Sequence, residues 1–152
     1  MSDLPSSRIP ALDRLYSQTE WLAYPLVRIA TGLFLVPHGA QKLFGFAGGD
    51  LQATAAGFER LGLVPALPLA TLVGVVEFFG GLCIAFGVFT RPAALAAAVL
   101  LVVAALRVHL PNGWFWSARG LEYPLLWALL CVACVLRGSG PLSIDAARGR
   151  DA

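Results

Sequence analysis

Charge is scarce in this sequence: Asp, Glu, Lys and Arg make up 13% of its 152 residues, about half the share of roughly 25% found in soluble globular domains. Too few charges remain to clothe a water-facing surface. Hydrophobic residues fill 58% of the chain and the mean hydropathy is +0.74, which points to an integral membrane protein and excludes disordered, collagen-like and disulfide-rich classes. Lysine is nearly absent, Lys42 being the single one among 11 basic residues. The arginines are scattered and the net charge is only +2, so no basic patch able to grip a phosphate backbone exists. Nucleic acid is not an expected partner.

Cysteine and histidine are equally sparse. Cys83, Cys131 and Cys134 lie inside apolar runs and describe no disulfide framework. Cys131 and Cys134 form a CxxC, but no charged neighbour stands by to activate a thiol, so packing is preferred to disulfide exchange. With only His38 and His109, and no HxxxH or CxxCH spacing, haem and metal are not expected. The first 20 residues are polar, carry Asp3, Asp13 and Glu20, and lack the apolar core of a signal peptide, so they are expected to stay uncleaved as an N-terminal tail.

What the sequence has is long apolar runs. A spanning helix needs about 20 residues, because the hydrocarbon layer is about 30 Å thick and a helix rises about 1.5 Å per residue. Four segments fit, at 21–43, 66–89, 92–110 and 121–136, and none is free of charge: Arg28 interrupts the first, Glu77 the second, Arg107 the third, and Glu122 opens the fourth. The expectation is an all-α, integral membrane four-helix bundle over residues 21–137, with a tight link at Thr90 and Arg91 and a tail at 138–152. In the loop after the first span, Leu51, Ala55, Phe58 and Leu61 recur at helical spacing while Gln52, Glu59 and Arg60 face elsewhere. That pattern fits a short amphipathic helix lying in the interface, with an irregular loop as the alternative. Basic residues set orientation: Arg8, Arg14, Arg91, Arg137, Arg148 and Arg150 on one side outnumber Lys42, Arg60, Arg107 and Arg119 on the other. Both termini are therefore expected in the cytoplasm. The cluster Trp114, Phe115 and Trp116 reads as an outer interfacial anchor.

An ionisable group at mid-bilayer costs about 3 kcal/mol on insertion scales, so each one marks a candidate site. Glu77 lies about 16 Å into the second span. Gly74, Glu77 and Gly81 share a helical face on which another helix or a flat ligand can approach closely. By depth, Arg28 of span one is the expected partner of Glu77. A second constellation gathers at the outer ends: His38, Gln41 and Lys42 close span one, Arg107 and His109 close span three, and Glu122 with Tyr123 opens span four. Glu77, His109 and His38 are the candidate proton-handling groups. Arg28, Gln41, Lys42, Gly74, Gly81, Arg107, Glu122 and Tyr123 are candidates for binding or pairing.

The runs RIATGLFLVPHGAQKLFGF, VEFFGGLCIAFGVFTRPAALAAA, HLPNGWFW, GLEYPL and GSGPLSID resemble the DoxX family of four-helix bacterial inner-membrane proteins. The resemblance runs from about Trp21 to Asp145. The family's typical acidic, basic and histidine positions fall on Arg28, His38, Lys42, Glu77, Arg91, His109 and Glu122. It implies a multi-pass location in the inner membrane and a role in oxidoreductase or oxidative-stress assemblies. Members include the membrane subunit of a thiosulfate:quinone oxidoreductase, and one relative is linked to disulfide handling. The chain carries no Rossmann fingerprint and no iron–sulfur cysteine cluster, so electrons are expected from a partner redox protein. The expected function is that of a quinone-interacting subunit in the lipid bilayer, with a homo-oligomer open. The alternative is a non-catalytic scaffold or assembly factor. A small-solute transporter ranks lower, because no internal repeat is visible.

Overall fold

The computed structural model describes residues 10–149, and 82% of it is helical, with no strand among the described residues. Residues 1–9 and 150–152, with Asp3, Arg8 and Arg150 among them, lie outside the described residues. Helix α1 runs Pro10–Phe44, so helix begins 11 residues ahead of Trp21. Asp13, near the start of the described helix, complements the helix dipole. Pro25 and Pro37 sit inside α1 and each removes one backbone donor without ending it.

Helix α2, Leu51–Arg60, is the amphipathic helix of the two readings, not the irregular loop. Its N-cap is Asp50, whose carboxylate accepts from the amides of Gln52 (2.6 Å) and Ala53 (3.1 Å). Ala55 is buried and Phe58 half-buried, while Gln52, Glu59 and Arg60 are exposed.

Among the described residues, helix α3, Ala66–Phe86, and helix α4, Thr90–Asn112, are the two helices long and apolar enough to cross a membrane, with mean hydropathies of 2.1 and 2.3. Thr90 and Arg91 belong to the first turn of α4, not to the link expected there. The link is 87–89, where Gly87 (φ 67°) and Phe89 (φ 48°) both take left-handed backbone. Each helix holds a π turn, Val76–Gly80 in α3 and Ala105–His109 in α4. Helix α5 is Glu122–Arg137 and α6 is Ile144–Ala147.

Helix α1 packs along α3, α3 on α4, α4 on α5, and α1 more lightly on α5, while α2 lies against α3. The core is built of small side chains: Ala94, Ala97, Ala98, Ala128, Cys131 and Cys134 are buried around Leu35, Ile84 and Leu101. Large apolar residues such as Phe34, Leu72, Leu95, Val99 and Leu129 point outward. Small inside and large outside is how helices pack in lipid, where close backbone approach replaces the hydrophobic effect as the driving force.

The α1/α3 seam shows that packing most directly. A Cβ on Gly32 would strike the Gly81 carbonyl and the Ala85 backbone, and a Cβ on Gly39 would strike the Phe78 amide and the Gly74 carbonyl. Two glycines seven residues apart on α1 thus meet two seven apart on α3. The strip Gly74, Glu77, Gly81 is filled by a helix along its length.

Candidate functional site

Glu77 is buried at 8% exposure in the π turn of α3, and π turns recur at functional sites because they displace side chains from the regular helical register. Its Oε2 accepts from Lys42 Nζ at 2.7 Å, an ion pair closing the end of the glycine seam. Lys42 also donates to the His38 carbonyl at 3.3 Å, a contact with the exposed carbonyls of its own last turn. An ammonium has three donors, so one N–H of Lys42 remains unused, as does Oε1 of Glu77. His38 is exposed one turn before Lys42 and lies within electrostatic reach of Glu77. Gln41 is half-buried beside the close approach of Gly49 to its backbone. Phe44 and Phe78 meet edge-on at 5.0 Å at the end of the seam.

Arg28 does not pair with Glu77, contrary to expectation. The seam register sets Gly39 at the level of Gly74 and Phe78, and Gly32 at the level of Gly81 and Ala85. Arg28 therefore falls beyond Ala85, while Lys42, 14 residues and about 21 Å along α1, falls beside Glu77. At zero exposure, Arg28 donates to the carbonyls of Ser139, Pro141 (3.1 Å), Leu142 (2.8 Å) and Ala85 (3.4 Å). These carbonyls belong to the end of α3 and to the segment after α5, where the negative ends of helix dipoles favour a cation.

Residues 138–145 accordingly pack into the fold. Ser139, Ser143 and Asp145 are all buried. Asp145 accepts from the Phe89 amide at 2.8 Å, and its own amide donates to the Gly87 carbonyl at 3.0 Å. Ser143 caps α6 through the Ala146 amide (3.1 Å), and the Tyr24 hydroxyl donates to the Gly138 carbonyl. Sequence reasoning passed over these residues as tail. The available signal was the run GSGPLSID, in which a serine after Gly and Pro, with an aspartate two residues on, marks a helix start.

The outer-end residues form a cluster of their own. His109 Nδ1 lies 2.7 Å from the Arg119 carbonyl and Arg107 donates to the Leu61 carbonyl at 3.2 Å. Tyr123 is exposed and stacks on Trp116 with ring centroids 5.7 Å apart. Glu122 is half-buried at the first position of α5. Among the described residues, no hydrogen bond or ion pair joins this cluster to His38, Lys42 or Glu77. The single polar mouth expected from topology is two separate constellations. Cys131 and Cys134 are free thiols at zero exposure, within the α4/α5 core.

The model of the DoxX family matches residues 23–110. A Bacillus subtilis protein named "Putative oxidoreductase CatD" is 30% identical over 120 residues, covering 79% of this chain and 82% of its own. A Mycobacterium tuberculosis protein named as an uncharacterised membrane protein is 31% identical over 129 residues, covering 78% and 77%. An uncharacterised Haemophilus influenzae protein is 29% identical over 122 residues, covering 78% and 85%. No solved structure matches the chain.

Proposed function

The chain belongs to the DoxX family and is a membrane protein, and from that premise we propose that it is a quinone-interacting subunit of a membrane oxidoreductase. The observation that carries the reading is the Lys42–Glu77 pair: two opposite charges set in an apolar seam with hydrogen-bonding capacity left over. A buried ion pair contributes little net stability, because desolvation offsets its Coulomb energy. Its retention is better explained by use.

In this reading α1, α3, α4 and α5 all cross the inner membrane, with both termini cytoplasmic and α2 lying in the interface. Residues 21–137 form the membrane domain, with α1 extending ahead of it from Pro10 and residues 138–145 packed back against Arg28. The glycine seam is closed by α1, so a ligand approaches from the bilayer on the exposed His38 side. A bound quinone supplies a two-electron, two-proton acceptor. The free N–H of Lys42 donates to one carbonyl oxygen, Glu77 holds and hands over one proton, and His38 supplies the other. Both electrons come from a partner redox protein. A relative's name as an oxidoreductase agrees with this assignment.

The scaffold reading rests on one observation, that Lys42 and Glu77 already neutralise each other. The two separate under photolabelling with a short-chain azidoquinone in proteoliposomes. The quinone reading expects adducts on peptides spanning 36–44 and 74–81, competed by decylubiquinone. Removing one charge-assisted hydrogen bond of about 1.5 kcal/mol should cut them about tenfold in Glu77→Gln. Uncompeted labelling scattered over the lipid-facing helices rejects it.

A further inference from the structure

A groove of about 570 Å³ lies between α2 and the C-terminal end of α4, away from the Lys42–Glu77 pair. Thr54, Phe58, Arg60, Val108, Asn112 and Arg119 line it. Its chemistry is divided. Phe58 and Val108 offer an apolar wall, whereas Arg60 and Arg119 bring two cations and Asn112 and Thr54 bring neutral polar groups. Arg107 stands next to it, donating to the Leu61 carbonyl at the end of α2 (3.2 Å). No carboxylate pairs with Arg60, Arg107 or Arg119 among the described residues. Asp50 is spent on the amides that start α2, and Glu59, exposed like Arg60, forms no ion pair with it.

Arg119 is held in place. Its backbone is left-handed at φ 61°, and its amide donates to the Trp116 carbonyl at 2.8 Å. Its carbonyl takes the Asn112 side-chain amide at 3.4 Å and lies 2.7 Å from His109 Nδ1. Since a carbonyl only accepts, His109 carries its proton on Nδ1. The π turn of α4 ends on His109 and so brings it to this loop. Two side chains of α4 therefore fix the backbone from which Arg119 projects. On the other wall, Gly57 leaves its position open, with the Arg60 guanidinium nearest to it.

Unpaired guanidiniums are suited to bidentate phosphate contacts. An adjoining apolar wall, on an amphipathic helix at the end of a membrane-spanning helix, adds a place for the first methylenes of an acyl chain. We propose that this groove binds the phosphate of an anionic phospholipid, with Arg60 and Arg119 on the headgroup and Phe58 and Val108 on the glycerol and proximal chain. Lipid is favoured over a free anion because Ala53, Phe58, Leu61 and Val108 give the groove an apolar wall beside its cations. The inference stands apart from the quinone reading and uses none of its residues in the Lys42–Glu77 pair.

The test is native mass spectrometry of the full chain released from vesicles of equal phosphatidylglycerol and phosphatidylcholine. Wild type should retain phosphatidylglycerol preferentially. Arg60→Gln/Arg119→Gln should lower the ratio of retained phosphatidylglycerol to phosphatidylcholine by about tenfold, the scale of one or two lost charged hydrogen bonds. Arg60→Lys/Arg119→Lys should recover part of it, and Arg91→Gln, at the other end of α4, should leave it unchanged. Equal retention of both lipids by wild type, or an unchanged ratio in the glutamine variant, overturns the proposal. Displacement of the lipid by millimolar inorganic phosphate alone also overturns it, in favour of a free-anion site.

Discussion

Two buried charges sit where α1 meets α3, Arg28 on α1 and Glu77 on α3, and the fold treats them in opposite ways. Arg28, at zero exposure, spends its guanidinium on carbonyls from the end of α3 and the segment after α5. Glu77 has one partner, Lys42, and the two side chains keep 11% and 19% of their surface exposed. A cation whose two terminal nitrogens are bonded to backbone carbonyls, and whose Nε is enclosed without a partner, is a fastener, since nothing can reach it without dismantling the fold. A pair with spare donors and acceptors, open on one side, is a place where a ligand can bind. The difference is carried by whether the hydrogen-bonding capacity each charge has left can be reached: it is enclosed at Arg28 Nε and open on one side at the pair.

The strongest way to break that contrast is Arg28→Met. Each carbonyl left unsatisfied costs about 1–3 kcal/mol, so losing three or four of them approaches the whole stability margin of about 5–15 kcal/mol. Little monodisperse protein should survive size-exclusion chromatography in detergent; a variant with the wild-type profile would make Arg28 no fastener. Lys42→Met comes next, because it strands the Glu77 carboxylate in the seam at about 3–5 kcal/mol. Combining it with Glu77→Gln should restore most of the thermal stability, which distinguishes the pair from Arg28, for which no single compensating change exists. Gly39→Ala should cost about 1–3 kcal/mol by forcing α1 away from the Phe78 backbone, read as a lower Tm. The smallest effect concerns Cys131 and Cys134, which should resist maleimide in the folded protein and react only after denaturation. Fast labelling under native conditions would put a mobile region where the account has a packed core.

The candidate charges themselves were legible in the sequence, because a glutamate in GVVEFFGG or an arginine in LVRIA has no local reason to be there. Their partners were not. Depth counted from assumed span ends matched Arg28 with Glu77, but the seam register is set by which glycines interlock, and that moved α1 along α3 until Lys42 met Glu77. The segment after α5 escaped for a different reason: its polar, glycine-rich composition looks like a tail, and the carbonyls that hold Arg28 belong to the backbone, which composition does not reveal. The helical character of α2 was readable from its spacing. The π turns at Glu77 and His109 carry no sequence signature of their own, since they arise where packing displaces one residue from the ladder.

The central claim is that the Lys42–Glu77 pair is a ligand site and Arg28 is not. The most direct measurement is the shift in Tm on adding decylubiquinone to wild type and to Lys42→Met/Glu77→Gln, a variant expected to fold with its charges removed. A ligand at a hundred times its Kd stabilises by about 2.7 kcal/mol, so wild type should show a rise of several degrees and the double variant none. An equal rise in both would contradict the account and leave the pair as part of the scaffold alone.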